Sequence, residues 1–184
     1  MEKGPGIESG ISKQISSVPA TVKEVIRNPV GFFSDMPRRG GFVEPIVFLA
    51  VMGVVVGALQ VILSALGLGM AGTFPGSLAA VFLTPIFMII GSFVGGFILY
   101  CIWNVMKSRE TFETAYRCGA YCSAISPITT ILNVIPYAGA VLGLAWTVYL
   151  LIVASIEVHN LEPKLAWIVF GVIFVILSVA AVRF

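Results

Sequence analysis

The stretch ETAYRCGAYCSAISPITTILNV, from Glu113 to Val134, decides the fold. It is long and apolar enough to cross a bilayer, yet it carries Arg117, Ser123, Ser126, Pro127, Thr129 and Thr130. Counted as a span, it is the third of five. Discounted, it leaves four, and the basic link at Lys164 changes side of the membrane. Around it the charges vanish. No Asp, Glu, Lys or Arg occurs between Glu44 and Lys107, between Arg117 and Glu157, or between Lys164 and Arg183. A helix needs about 20 apolar residues to cross the hydrocarbon layer. The first gap holds two such helices, parted by the turn-forming run from Gly67 to Gly76. The second holds two, parted at Asn133 to Tyr137, and the last holds one. The expected spans are 46–67, 78–106, 113–134, 138–157 and 165–183. These runs lack the strict alternation of barrel strands.

Composition agrees. The 184 residues are 58% hydrophobic and 11% charged, with 19 Gly besides, and the mean hydropathy is +1.01. So few charges do not cover the surface of a soluble domain of this size. Disorder, collagen and a disulfide scaffold are excluded by the apolar content, the absence of a Gly period and only 3 Cys. The expected fold class is all-α, an integral membrane bundle of five transmembrane helices with a cytoplasmic amphipathic N-terminal segment. Residues 1–42 read as the tail and 43–184 as the membrane domain.

Basic residues give the orientation, because Lys and Arg concentrate in cytoplasmic loops. The tail carries Lys3, Lys13, Lys23, Arg27, Arg38 and Arg39. The link after the second span carries Lys107 and Arg109, and the link after the fourth carries Lys164. The two opposite links carry none, and only Arg183 lies on the far side. An odd number of spans therefore places the tail in the cytoplasm and the C-terminus outside. The first apolar run begins only near Phe42, so no signal peptide is expected.

Within the tail, Ile11, Ile15, Val18, Val22, Val25, Ile26, Val30 and Phe33 recur at steps of three and four, which is one helical stripe. Pro19 and Pro29 predict two short helices or a kinked one. A basic amphipathic segment beside a membrane is expected to lie at the interface. Lys23 and Arg27 would face the headgroups, and the Asn28–Phe33 turn would push Phe32 and Phe33 into them as anchors. Packing of the same stripe on the spans is the alternative.

Inside the spans, small residues one turn apart allow close helix contact. Gly53 with Gly57, Gly91 with Gly95, and Gly139 with Gly143 do this, and Gly119 belongs to a similar stripe in the third span. They predict tight packing, within one chain or between chains. Pro85 and Pro127 predict kinks. Gln60, the most polar residue deep in the first span, is a candidate for a polar path, or simply a bond to a neighbouring helix. Glu113 and Arg117, four apart at a helix start, are expected to pair. Cys118 and Cys122 share a helix face but lack further metal ligands, so they read as core residues. The sequence shows no paired carboxylates, no activated nucleophile and no phosphate loop. No catalytic, cofactor or metal site and no nucleic-acid partner is expected.

Three features resemble a known family: Asn28-Pro29 with Phe32-Phe33 and Met36; Thr111-Phe112 leading to Arg117, Ala120-Tyr121, Ile125 and Pro127; and Ile135-Pro136 with Gly139, Trp146, Leu150 and His159. Together they are similar to the Yip domain family, the Ypt/Rab-interacting multi-pass membrane proteins, and more to its prokaryotic branch than to its Golgi branch. The resemblance covers about residues 25–183. It implies a five-span bundle with a cytoplasmic N-terminus. Through the eukaryotic relatives it also implies Rab-type GTPase partners and vesicle transport, although the acidic Asp-Leu-Tyr-Gly-Pro signature of that branch is absent here. The expected function is a non-enzymatic membrane protein that organises the bilayer or scaffolds partners, with homo-oligomers or other membrane proteins as candidate companions. The expected location is a prokaryotic cell membrane, or else the endoplasmic reticulum or Golgi. The rival function is a transporter or channel for a small or lipid-like solute.

Overall fold

The computed structural model describes residues 7–68, 78–135 and 138–183. In chain order these form α1 (Ile7–Arg27), α2 (Pro29–Asp35), α3 (Val43–Ala65), α4 (Ala79–Val105), α5 (Phe112–Cys122), a 3-10 turn at Ser123–Ile125, α6 (Ser126–Leu132), α7 (Ala138–Glu157) and α8 (Pro163–Arg183). Most of the expected turn at 67–76, as well as Pro136, Tyr137 and Phe184, lies outside the described residues.

Four helices are long and apolar enough to cross a membrane: Val43–Ala65, Ala79–Val105, Gly139–Glu157 and Pro163–Ala181. The third expected span is not one straight helix. It breaks into α5, the 3-10 turn and α6. Pro127 explains the break, because it sits in the first turn of α6, where its missing N–H has no intrahelical bond to lose. It starts a helix rather than kinking one. Nearly all of α5 from Thr114 to Cys122 is buried by the rest of the protein. A helix enclosed by protein can keep polar side chains that a lipid-facing helix cannot, which accounts for the weak hydropathy of this segment. Arg117 meets Glu44 at the start of α3, while Leu132 lies against Gly139 at the start of α7.

The small residues divide into two groups. Gly53 and Gly57 lie where α3 meets α4. A Cβ on Gly53 would stand 2.7 Å from Pro85 Cβ, and one on Gly57 would stand 2.6 Å from the Ala80 carbonyl oxygen. Pro85 thus stays inside α4 with its ring in the space that Gly53 leaves open. Gly139 abuts the Leu132 carbonyl, a Cβ on Gly143 would stand 3.1 Å from Thr129 Cβ, and one on Gly119 would stand 3.3 Å from Leu99. Gly91 and Gly95 differ, since a Cβ on either meets nothing within 4 Å. Their face of α4 points away from the chain's own helices. The next residue, Gly96, takes the close contact instead: a Cβ on it would stand 3.3 Å from Tyr116.

The tail divides into two helices at Asn28-Pro29, as Pro29 predicts, but not at Pro19. α1 continues through Pro19. Pro19 is exposed, so the carbonyl that loses its partner faces outward, where water can bond it. Asn28 begins α2 by accepting the Gly31 N–H at 3.2 Å, with Pro29 in the first turn. The 28–33 stretch is therefore a helix start rather than an open turn. Its aromatics pack inward: Phe33 is 1% exposed, and Phe32 packs edge-on against Tyr121, ring centroids 5.1 Å apart. Neither is placed as a lipid anchor. Val18, Val25 and Met36 join Phe33 in the main core with Phe48, Trp103, Leu150 and Phe170. Lys23 and Arg27 remain exposed.

Candidate functional site

The helix order gathers polar groups at one end of the bundle, where α3, α5 and α8 begin and α4 and α7 finish. Arg117 is the centre of this end. It is fully buried, donates from Nη2 to Glu44 at 2.5 Å and from Nη1 to the Gly41 carbonyl at 3.0 Å, and lies 6.0 Å from the Tyr121 ring centre. The expected Glu113–Arg117 pair does not form. Glu113 Oε1 instead accepts the N–H groups of Gly40 and Gly41, each at 2.7 Å. Gly41 has φ +81, and this left-handed backbone lets two successive N–H groups converge on one oxygen. Local spacing favoured the i, i+4 pair, but the 38–44 segment brings both a better acceptor for Arg117 and two donors for Glu113. Arg38 closes the same clasp through Glu110 at 2.9 Å, and Thr114 donates to the Arg38 carbonyl at 3.0 Å.

Beside the clasp, Trp103 and His159 stack with ring centroids 3.9 Å apart. Trp103 Nε1 donates to Ser155 Oγ at 2.8 Å, and His159 Nδ1 lies 2.7 Å from Ser108 Oγ. His159 is 5% exposed, and its Nε2 has no partner. Burial, assisted by the positive charge of Arg38, lowers its pKa from 6.5 to about 4. At neutral pH it is therefore a neutral, stacking side chain. Ser108 and His159 are close enough for nucleophile and base, but the unpartnered His159 Nε2 is buried. Cys118 and Cys122 are buried core residues, and among the described residues no three His, Cys, Asp or Glu gather as metal ligands.

A groove of about 450 Å³ lies between α7 and the broken third segment. Ser123, Ser126, Thr129 and Asn133 line one wall, and Gly143 and Thr147 the other. Sequence reasoning noticed these hydroxyls only as a weakness of the span. Their spacing of three and four was the available signal for a shared face. Gln60 is not among them. It accepts a bond from Thr84 at 3.2 Å and ties α3 to α4, so it does not extend the groove into a polar path.

No curated protein and no solved structure matches the chain. The Yip1 domain family does, over residues 23–183, from the second half of α1 to the end of α8. That range takes in the charged clasp, the broken segment and all four long apolar helices. The chain is thus an integral multi-pass membrane protein belonging to the Yip1 domain family.

Proposed function

We propose that this protein is a non-enzymatic, five-span membrane protein that organises the bilayer or holds partners at it, with its N-terminus in the cytoplasm of a prokaryotic cell. The observation that carries this reading is the state of the tail. α1 is held on the bundle through Val18 and Val25, while Ile11, Ile15, Lys13, Lys23 and Arg27 stay exposed. Apolar and basic side chains offered together by a docked helix suit a headgroup layer or a membrane-bound partner. The fifth span is supported by the broken segment, which passes from the Glu44 end of the bundle to the Gly139 end. The orientation rests on the charges, since every charged residue from Lys13 to Lys164 lies in the tail, in a link or near a helix end on one side. Residues 1–42 then form a docked cytoplasmic tail and 43–184 the membrane domain. Companions of these kinds are anionic lipid, other membrane proteins, a second copy, or, through the family, a Rab-type GTPase.

The test uses the full chain in anionic proteoliposomes, with nitroxide labels at single cysteines in a background lacking Cys101, Cys118 and Cys122. Labels at positions 11 and 15 should be relaxed more by oxygen than by a water-soluble nickel complex, and a label at position 110 should be reachable only from the cytoplasmic side. Equal nickel access at 11, 15 and 17 would remove the interfacial role. The groove supports a second reading, transport of a small or lipid-like solute. Solute flux that disappears in Thr147→Val would favour it.

A further inference from the structure

We propose that the groove between α7 and the broken third segment is a binding site for a neutral, single-chain or glyceride-type lipid whose headgroup donates hydrogen bonds. This goes beyond the scaffolding reading and rests only on the chain being embedded in a membrane. The groove, about 450 Å³, falls within the range of small-molecule sites. It lies along the first half of α7, one of the membrane-length helices.

Hydrogen-bond accounting identifies the chemistry of the occupant. Ser123 donates to the Ala120 carbonyl at 2.6 Å, Thr129 to the Ser126 carbonyl at 2.9 Å, and Thr147 to the Gly143 carbonyl at 2.9 Å. Each hydroxyl has spent its only proton on its own helix, and each oxygen keeps acceptor capacity. These three side chains therefore present acceptors, while the Ser126 hydroxyl and the Asn133 amide can also donate to a hydroxyl oxygen. Among the described residues no charged side chain lines the groove, so an ionic headgroup would find no counter-charge in a layer where burying a charge is costly. Ile125, Ala140 and Leu144 make the rest of the lining largely apolar, which suits an acyl chain. A neutral donor headgroup on a hydrocarbon tail satisfies both parts. A second copy of the chain is the competing occupant, because Gly139 and Gly143 also line the groove. Those glycines, however, already carry α6 at close contact, through Leu132 and Thr129.

The experiment measures binding to the full-length protein in phosphatidylcholine nanodiscs by native mass spectrometry. The probes are monoolein, with two hydroxyl donors; methyl oleate, with the same tail and no donor; and oleate, with a charge. Monoolein should bind at least about fivefold more tightly than methyl oleate, as expected for one net hydrogen bond, and oleate should bind no better than methyl oleate. Thr147→Val, which keeps the side-chain shape, should bring monoolein down to the methyl oleate level without altering the melting temperature. Ser123→Ala should weaken monoolein in the same direction and serves if Thr147→Val fails to fold. Equal binding of monoolein and methyl oleate, indifference to both substitutions, or a dimer that excludes monoolein would overturn the proposal. None of these outcomes touches the nitroxide test of the tail.

Discussion

At the residue scale, the charged clasp is asymmetric. The Arg117 side chain is wholly buried, whereas that of Glu44 is 49% exposed. Removing the carboxylate leaves a cation inside the protein with the Gly41 carbonyl as its one remaining acceptor, and Arg117 Nε already has none. Removing the cation leaves a carboxylate that water still reaches. Breaking a buried pair typically costs about 3–5 kcal/mol when the surviving charge is stranded. Glu44→Ala, which removes the side-chain acceptor altogether, should therefore destabilise the protein more than Arg117→Met, which thermal melts in detergent will rank. His159 supplies a pH prediction. Its pKa falls from 6.5 to about 4 on folding, so between those values the unfolded chain binds the extra proton. Stability is full above about pH 6.5 and declines as the pH drops toward 4, by about 3 kcal/mol for a shift of this size. Melting at pH 7 and pH 4.5 should differ less in His159→Phe than in the parent. The sequence marked Arg117, Glu113 and His159 as notable. It did not reveal their partners, because Glu44 lies 73 residues from Arg117 and only the fold brings them together.

Helices were legible where lipid dictates their composition. The four long apolar helices start and stop close to the expected limits, because hydrocarbon demands a continuous apolar surface regardless of packing. The third segment and the tail were less legible, since α5 is enclosed by protein and one face of the tail packs on the bundle, and those residues answer to neighbours rather than to solvent. The same distinction separates the glycines. Gly53→Val must push into Pro85 and should cost about 1–3 kcal/mol, as overpacking usually does. Gly91→Val meets nothing within 4 Å and should leave the melting temperature of the isolated protein nearly unchanged. A loss at Gly91 equal to that at Gly53, measured at one detergent concentration, would mean that the open face of α4 is occupied by another molecule. The sequence could not sort these pairs, because Gly91 with Gly95 has the same spacing as Gly53 with Gly57, and facing is set by helix rotation.

For the whole molecule, the distribution of polarity is the organising fact. The outer faces of α4 and α8 expose Phe82, Phe87, Val94, Ile98, Trp167, Ile168, Val175 and Ile176, as membrane-facing surfaces should. Outside the tail, most polar side chains lie at the charged end, in the groove or in single inter-helix bonds such as Thr84 to Gln60. Charge placement along the sequence already implied one polar end, and that inference required no contact information. The groove was not implied, because its walls belong to segments separated by the link at 133–138, and the sequence does not say how far apart α6 and α7 stand.

The enclosure of α5 within the third segment has a consequence for how the chain enters the membrane. A nascent helix is judged by the translocation machinery on its own composition, and an Arg in its centre is charged about 2.5–3.5 kcal/mol, less toward the ends. Arg117, five Ser and Thr residues and Pro127 make the stretch from Glu113 to Val134 a poor candidate for independent insertion. On the five-span reading it becomes a passenger, admitted only once α7 arrives to enclose it beside α3 and α4. A reporter fused after residue 135 of a truncated chain should then remain largely cytoplasmic. The same reporter inserted at that point in the complete chain should be found outside. Equal external placement in both would show that the segment crosses without help from α7 and α8.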